Sequence, residues 1–372
     1  MWGDIAIAFL LAFITTFVLT PYTIKIAKKI GAVDVPKDER RMHNKPMPKF
    51  GGPAIIIGFL LSIIYLLITS SLEGNLNLFG IEEYYKKLIG FLIGIFILSI
   101  FCYFDDVKGI HPLVKLLGQT IAAAIVVAFG IRINNFNLPF FEGNIVLSNA
   151  FSIILTMVWI IGITNAINLI DGLDGLSSGI AIISSVSLLI IFALNESPLI
   201  AIIIVTALVG ALSGFLPFNF NPAKTFIGDI GSNFIGFTLS IVSILGIAKT
   251  ATAFVIVLPI FVLGLPIFDT VSAIIRRLIK GRSIKAVFQA DKNHLHHKLI
   301  EKGFTQKEAV LTLYGVSVAC GMFAVILFES DIWKAISFAL MVVAVVAIGY
   351  KEFFKLKQEE NNQKENNEQE ER

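Results

Sequence analysis

The stretch Leu199-Ile-Ala-Ile-Ile-Ile-Val-Thr-Ala-Leu-Val-Gly-Ala-Leu-Ser-Gly-Phe-Leu216 runs for 18 residues without a charged side chain. A helix needs about 20 predominantly apolar residues to cross a bilayer, and this one is apolar on every face, as a span buried among other spans is. Further runs of this kind bring the candidates to eleven, at about 3–21, 52–70, 88–104, 113–130, 150–166, 176–194, 198–216, 232–248, 251–275, 308–328 and 332–350. Composition points the same way. Hydrophobic residues make up 56% of the 372 positions and charged ones 15%, against ~25% charged in soluble proteins; the mean hydropathy is +0.81. Too little polar material is left to cover a soluble globule. The chain is expected to be an all-α polytopic membrane protein of about 11 transmembrane helices, with residues 1–350 as one membrane domain.

The segments between the runs set the orientation. Connections 22–51, 105–115, 167–175, 217–231 and 276–307, with the tail from 351, carry 25 of the 30 Lys and Arg residues. Such a bias marks the cytoplasmic side, so the N-terminus is expected outside and the C-terminus in the cytoplasm. On the outer side, 131–148 stands apart: a Pro139 break, a Gly143-Asn144 turn and alternating Ile145 and Leu147 suggest a short β-hairpin. The tail 351–372 is rich in Glu, Asn, Gln and Lys and reads as a charged, partly disordered extension. No basic residue precedes the first run, which favours a retained span over a cleaved signal. Cys102 and Cys320 lie in apolar stretches, so neither a disulfide framework nor a cysteine metal site is expected. A net charge of +3 gives no ground for nucleic-acid binding.

Four polar clusters fall on the cytoplasmic side. Acidic groups at membrane depth are costly and need a partner or a task. Asp105-Asp106 follows the third run; adjacent carboxylates repel unless a cation holds them, although a cap for the fourth span with Lys108 as counter-ion reads the pair equally well. Asn165, Asn168, Asp171 and Asp174 recur every third residue, with Gly172 and Gly175 between them. The glycines suggest a helix that breaks and folds its backbone around something small; capping alone explains Asp174 but not the amides. Gly228-Asp229-Ile-Gly231-Ser232, after Asn219 and Phe226, sets a carboxylate between glycines at a helix start, where backbone N–H groups can meet an anion. His294-Leu-His296-His297 lies in the most basic loop. No cysteine completes a zinc set, and the oxygen ligands elsewhere suit magnesium. Together the clusters suggest phosphoryl chemistry on a membrane-bound substrate, with no Walker lysine motif or dinucleotide fingerprint. An anion transporter would concentrate its polar residues near the bilayer midplane, and a non-catalytic scaffold would need no carboxylates in several loops.

Gly51-Gly52-Pro53, Asp105-Asp106, Asn165 to Leu176, Gly228 to Ser232 and His294-x-His296-His297, in this order over nearly the whole chain, resemble the polyprenyl-phosphate N-acetylhexosamine-1-phosphate transferases. That resemblance implies transfer of a sugar 1-phosphate from a UDP-N-acetylhexosamine to undecaprenyl phosphate, releasing UMP, at the cytoplasmic face of a bacterial cytoplasmic membrane. It implies Mg2+, with Mn2+ as a substitute, and allows a homodimer. Asp291 to His297 with Gly303-Phe304-Thr305 is similar to the N-acetylglucosamine branch, which starts teichoic acid, O-antigen or related glycans. The muramoyl-pentapeptide branch has three consecutive histidines, which Leu295 interrupts here. By the same resemblance Asp229 is the principal magnesium ligand with Asp106 beside it, and Asp105 deprotonates or orients the lipid phosphate. Asp171 and Asp174 match positions for catalysis and uridine recognition, with Asn165 and Asn168 close by. Phe226 and Asn219 match nucleoside-binding positions, Lys45 is a looser match, His294, His296 and His297 would hold the diphosphate or sugar, and Arg282 would grip the sugar or its diphosphate.

Overall fold

The computed structural model describes residues 2–36, 45–72, 82–136, 145–247, 257–281, 294–330 and 332–344. Its elements in chain order are α1 (Trp2–Ile30), β1 (Val33–Asp34), β2 (Met47–Pro48), α2 (Gly52–Leu72), α3 (Glu82–Lys108), α4 (Pro112–Ala128), β3 (Asn135–Phe136), β4 (Ile145–Val146), α5 (Asn149–Ile170), α6 (Leu176–Leu194), α7 (Leu199–Asn219), α8 (Gly228–Ile247), α9 (Val257–Val262), α10 (Gly264–Gly281), α11 (Leu295–Glu301) and α12 (Gln306–Glu329). A further apolar helix, α13, covers Ile332–Ala344. Among the described residues eight helices are long and apolar enough to cross a membrane: α1, α2, α3, α5, α6, α7, α8 and α12. The protein is a polytopic helical membrane protein.

The other three expected runs take different forms. The runs 113–130 and 332–350 appear as the shorter helices α4 and α13, the second described only to Ala344. The run 251–275, read as one span, is described from Val257 and is interrupted at Leu263 between α9 and α10. Pro266 lies in the first turn of α10; it has no N–H to return to the preceding turn, so the ladder is interrupted there. The outer hairpin is present, with Asn135 opposite Val146 and Phe136 opposite Ile145. Its tip, residues 137–144, lies outside the described residues, as does the tail 351–372.

Packing orders the bundle around α7 and α8, whose apolar stretches are 83% and 89% buried. Helix α7 packs on α1, α6 and α2, while α8 packs on α5, α3 and α2. Because successive helices alternate in direction, the C-terminal ends of α1, α3, α5 and α7 share one end of the bundle with the N-terminal ends of α2, α4, α6 and α8. Every polar cluster read in the first 247 residues sits at that end. A second ladder, unseen in the sequence, closes it: β1 pairs with β2 through Val33 opposite Pro48 and Asp34 opposite Met47.

The start of α2 is stitched to the segment before α8. Gly51 and Gly52 donate their N–H groups to the carbonyls of Phe226 and Ile227 at 3.1 and 2.8 Å, and Phe226 donates to Pro48 at 2.8 Å. The backbones come so close that a Cβ on Gly52 would run into the N and Cα of Gly231. Gly52→Ala is therefore expected to destabilise the protein by about 1–3 kcal/mol, as overpacking of a rigid contact does. Thermal unfolding of the purified variant in detergent checks this, and an unchanged midpoint would contradict it.

Candidate active site

Asp105 and Asp106 form the last turn of α3 instead of following it, and α4 is capped by His111, whose side chain accepts from Leu113 N. The cap reading of the acidic pair is thereby replaced. Asp106 reaches the start of α8, where Oδ1 accepts the N–H of Asp229 at 2.9 Å and Oδ2 that of Ile230 at 3.0 Å. A carboxylate at a helix N-terminus satisfies two orphan donors and complements the helix dipole. Lys49 Nζ lies 3.6 Å from Oδ1, and the Asp106 side chain is 0% exposed. Asp106, expected on the metal beside Asp229, uses both oxygens to hold the start of α8. Gly228 adopts a positive φ of 76°, and a Cβ there would strike the Lys49 carbonyl and the Asp106 carboxylate. This requirement places the glycine before Asp229.

The centre of the site is Lys115, in the first turns of α4. Its ammonium pairs closely with Asp229, lies 3.2 Å from Asp105 Oδ2 and donates to Asn168 Oδ1 at 3.0 Å. Asn168 in turn donates to Asp229 Oδ1 at 3.0 Å and to Ser232 Oγ at 2.8 Å. One turn deeper, Gln119 exchanges bonds with Asn165 and donates to Asn233 Oδ1 at 2.7 Å, while Asn233 Nδ2 donates to the Asp229 carbonyl at 2.8 Å. These bonds clamp α4, α5 and α8 together. Asn165 belongs to this clamp and not to the cleft wall.

Above the clamp opens a cleft of about 350 Å³, lined by Lys49, Asn168, Asp171, Asp174, Phe226 and Asp229 among others. As the spacing of the glycines suggests, α5 ends at Ile170, and Asp171 to Gly175 turn before α6, with Gly175 at φ 77°. Asp171 accepts from Ser177 Oγ at 2.6 Å. Asp174 Oδ2 accepts from Asn221 Nδ2 and from Ala223 N, both at 3.0 Å, tying this turn to the loop after α7. Asn219 is held by Ser178 at 2.8 Å and by its own bond to the Thr225 carbonyl at 3.0 Å. Asp34, delivered by the β1–β2 ladder, and Gln306 of α12 also reach the wall. Asp105 and Lys45 do not line it, and neither does Lys115, which lies behind the wall residues Asp229 and Asn168 with Asp105 at its side.

Burial pushes the Asp171 carboxyl up, from the ordinary 3.8 to about 7, helped by the Asp229 charge and opposed by the Ser177 hydroxyl. The folded protein therefore binds this proton more tightly than the unfolded chain, and stability is lost as pH rises between the two values. Asp171→Asn removes the titration. The variant's thermal midpoint should match the wild type below about pH 4 and exceed it fully above about pH 7. Equal midpoints at both ends of that window would contradict the assignment.

The histidines lie behind the wall. His294 and His296 are 5% and 2% exposed, and the His296 ring bears on Gly172, where a Cβ would occupy its place. Burial, followed by the neighbouring imidazoles of His297 and His294, pushes His296 down to about 3, so the ring is neutral. Arg282 lies outside the described residues. Lys115, Gln119, Asn233, Asp34 and Asp269 are the residues that the sequence reading missed. Lys115 carried a signal, since it is the only charged residue in α4.

Asp229 Oδ1 is taken by Lys115 and Asn168. Among the described residues Oδ2 has no partner, and no group of three or more His, Cys, Asp or Glu is arranged to hold a metal. Magnesium uses one or two carboxylates plus substrate phosphates and waters, a requirement that the open oxygen of Asp229 and the hard-oxygen lining of the cleft fit.

Residues 88–247, which hold Asp105, Lys115, Asn168, Asp171 and Asp229, match the pattern of glycosyl transferase family 4. The chain is 36% identical over 344 residues to the "Probable undecaprenyl-phosphate N-acetylglucosaminyl 1-phosphate transferase" of Bacillus subtilis (strain 168), covering 92% of this chain and 90% of that protein. It is 33% identical over 369 residues to the "Decaprenyl-phosphate N-acetylglucosaminephosphotransferase" of Mycobacterium tuberculosis (strain ATCC 25618 / H37Rv), covering 92% and 88%. A more distant relative is the "Phospho-N-acetylmuramoyl-pentapeptide-transferase" of Wolbachia sp. subsp. Brugia malayi (strain TRS), 30% identical over 338 residues, covering 85% and 97%. With such likeness sustained over 92% of the chain, and the family pattern spanning the clamp that holds Asp229, the chain belongs to glycosyl transferase family 4 and is a transferase.

Proposed function

We propose that the protein transfers N-acetylglucosamine 1-phosphate from UDP-N-acetylglucosamine to undecaprenyl phosphate, giving the lipid diphosphate sugar and UMP. The observation that carries this reading is the Lys115–Asp229–Asn168 clamp, opening on a hard-oxygen cleft at one end of a membrane bundle. The relatives named for N-acetylglucosamine transfer, at 36% and 33% identity, support that sugar over the muramoyl pentapeptide, whose named relative stands at 30%. The excess of Lys and Arg in the connections at that end supports a cytoplasmic cleft, an N-terminus outside and a bacterial cytoplasmic membrane location.

Both reactants are anions, so catalysis requires charge neutralisation and positioning more than covalent chemistry. An oxygen of the lipid phosphate attacks the sugar-bearing phosphorus, and the bond to UMP breaks in line with it. Lys115, behind Asp229 and Asn168 in the wall, offsets the charge of the incoming phosphate, and Asp105, 3.2 Å from its ammonium, holds that charge in place and so orients the phosphate. Lys49 adds a second cation at the wall. Phe226 offers a face to the uracil, and Asp171 and Asp174 offer acceptors to the nucleoside. Asp229 would hold Mg2+, or Mn2+ in its place, which would supply charge neutralisation on the diphosphate. A panel of UDP-sugars tests the substrate: UDP-N-acetylglucosamine is expected to be used and UDP-N-acetylmuramoyl-pentapeptide refused. Efficient transfer from the pentapeptide donor would move the protein to the muramoyl branch.

A further inference from the structure

A second cluster of buried titratable groups sits behind the cleft wall. Asp269, on α10, is 2% exposed, and both of its oxygens are engaged. Oδ2 is 2.7 Å from His294 Nδ1, and Oδ1 accepts the Leu295 N–H at 2.9 Å. A carboxylate offers only lone pairs, so Nδ1 carries a ring proton. His294 is the N-cap of α11, yet its side chain makes no capping bond there; Asp269 satisfies the first donor of α11 from another helix. The His294 ring stacks on that of His296, with centroids 5.8 Å apart and planes 10° apart. His296 bears on Gly172, and Gly172 and Asp171 line the cleft. Contact thus runs without a gap from Asp269 to the wall of the cleft.

We infer that Asp269 is a positioning residue for the transfer: it fixes the tautomer and ring plane of His294 and, through the His294–His296 stack, the Asp171–Gly172 wall. A group that merely filled space would not need a charge, because a buried carboxylate is costly unless it is paired and hydrogen-bonded. Orienting groups of this kind act by locking a histidine in one tautomer, and their loss typically lowers activity without removing the histidine itself.

The inference rests on the transfer reaction proposed above, so its test has one readout that needs no activity. In the full chain labelled with 15N-histidine and held in detergent, five imidazoles are to be resolved. His294, assigned by its loss in His294→Gln, is expected to show the Nδ1-protonated form, and Asp269→Asn is expected to abolish that preference. A wild-type His294 with no proton on Nδ1 would overturn the proposal. In turnover, Asp269→Asn is expected to lower kcat roughly 10–100-fold while KM for the UDP-sugar stays within about threefold. Asp269→Asn combined with His294→Ala should be no slower than His294→Ala alone, because the two act as one unit; losses that multiply would overturn the proposal. Asp269→Glu, which keeps the carboxylate, should recover most of kcat. A folded Glu variant as slow as His294→Ala counts against the proposal whether or not the Asn variant folds. Absence of any transfer in the wild type would sink the reaction and leave the tautomer test to decide the positioning role.

Discussion

Asp229→Asn is expected to reduce transfer by on the order of 10³-fold, the scale on which removing a charge-stabilising group from a preorganised site acts. The fold should survive. The backbone N–H of Asp229 still meets Asp106, and its carbonyl still accepts from Asn233, so α8 keeps both its cap and its tie to α4. What is lost is the carboxylate that faces the cleft and balances Lys115. Transfer of labelled sugar to lipid, measured beside the thermal midpoint, checks both halves. Near-wild-type turnover would remove Asp229 from the chemistry, and an unfolded variant would show that its side chain serves the core.

Lys115→Met is expected to damage both stability and activity. The Lys115 side chain is 15% exposed, and its ammonium is shared by Asp229, Asp105 and Asn168. Removing one partner from a buried ion pair typically costs about 3–5 kcal/mol, because the remaining charges stay buried without compensation. Methionine has nearly the same length and apolar stem, so the loss reports the charge and not the volume. Transfer should fall below about one hundredth of wild type, on the scale of a lost charge-stabilising donor. A variant that unfolds at the wild-type temperature would show that the carboxylates do not depend on Lys115.

The bundle was readable because a bilayer demands long apolar runs, and α1, α2, α3, α5 to α8 and α12 each carry one. Run length could not reveal the interruption at Leu263. Pro266 is tolerated in the first turn of a helix and breaks one only if the helix began earlier; the sequence does not mark where α10 begins. The β1–β2 ladder has two residue pairs, too few for an alternation to show.

At the site, Asp171, Asp174, Asn168 and Asp229 were legible as carboxylates and an amide close to glycines at span ends, Asn219 and Phe226 through the family resemblance, and all six line one cleft. Their division of labour was not legible. Asp105 and Asp106 are adjacent in sequence, but side chains one residue apart on a helix point in different directions. One therefore meets Lys115 and the other the start of α8. Lys115 was hidden by proximity, since a lysine near a span end ordinarily reads as a topology signal. Asp269 was hidden in an apolar run, and only the return of α11 onto α10 shows what it holds.

UMP release from UDP-N-acetylglucosamine by the purified full chain in detergent, with magnesium, is the measurement that reaches the central claim. Release is expected only when undecaprenyl phosphate is added, with one lipid diphosphate sugar formed for each UMP. Release that ignores the lipid, or none with both substrates and magnesium present, would contradict the assignment of this cleft to sugar-phosphate transfer.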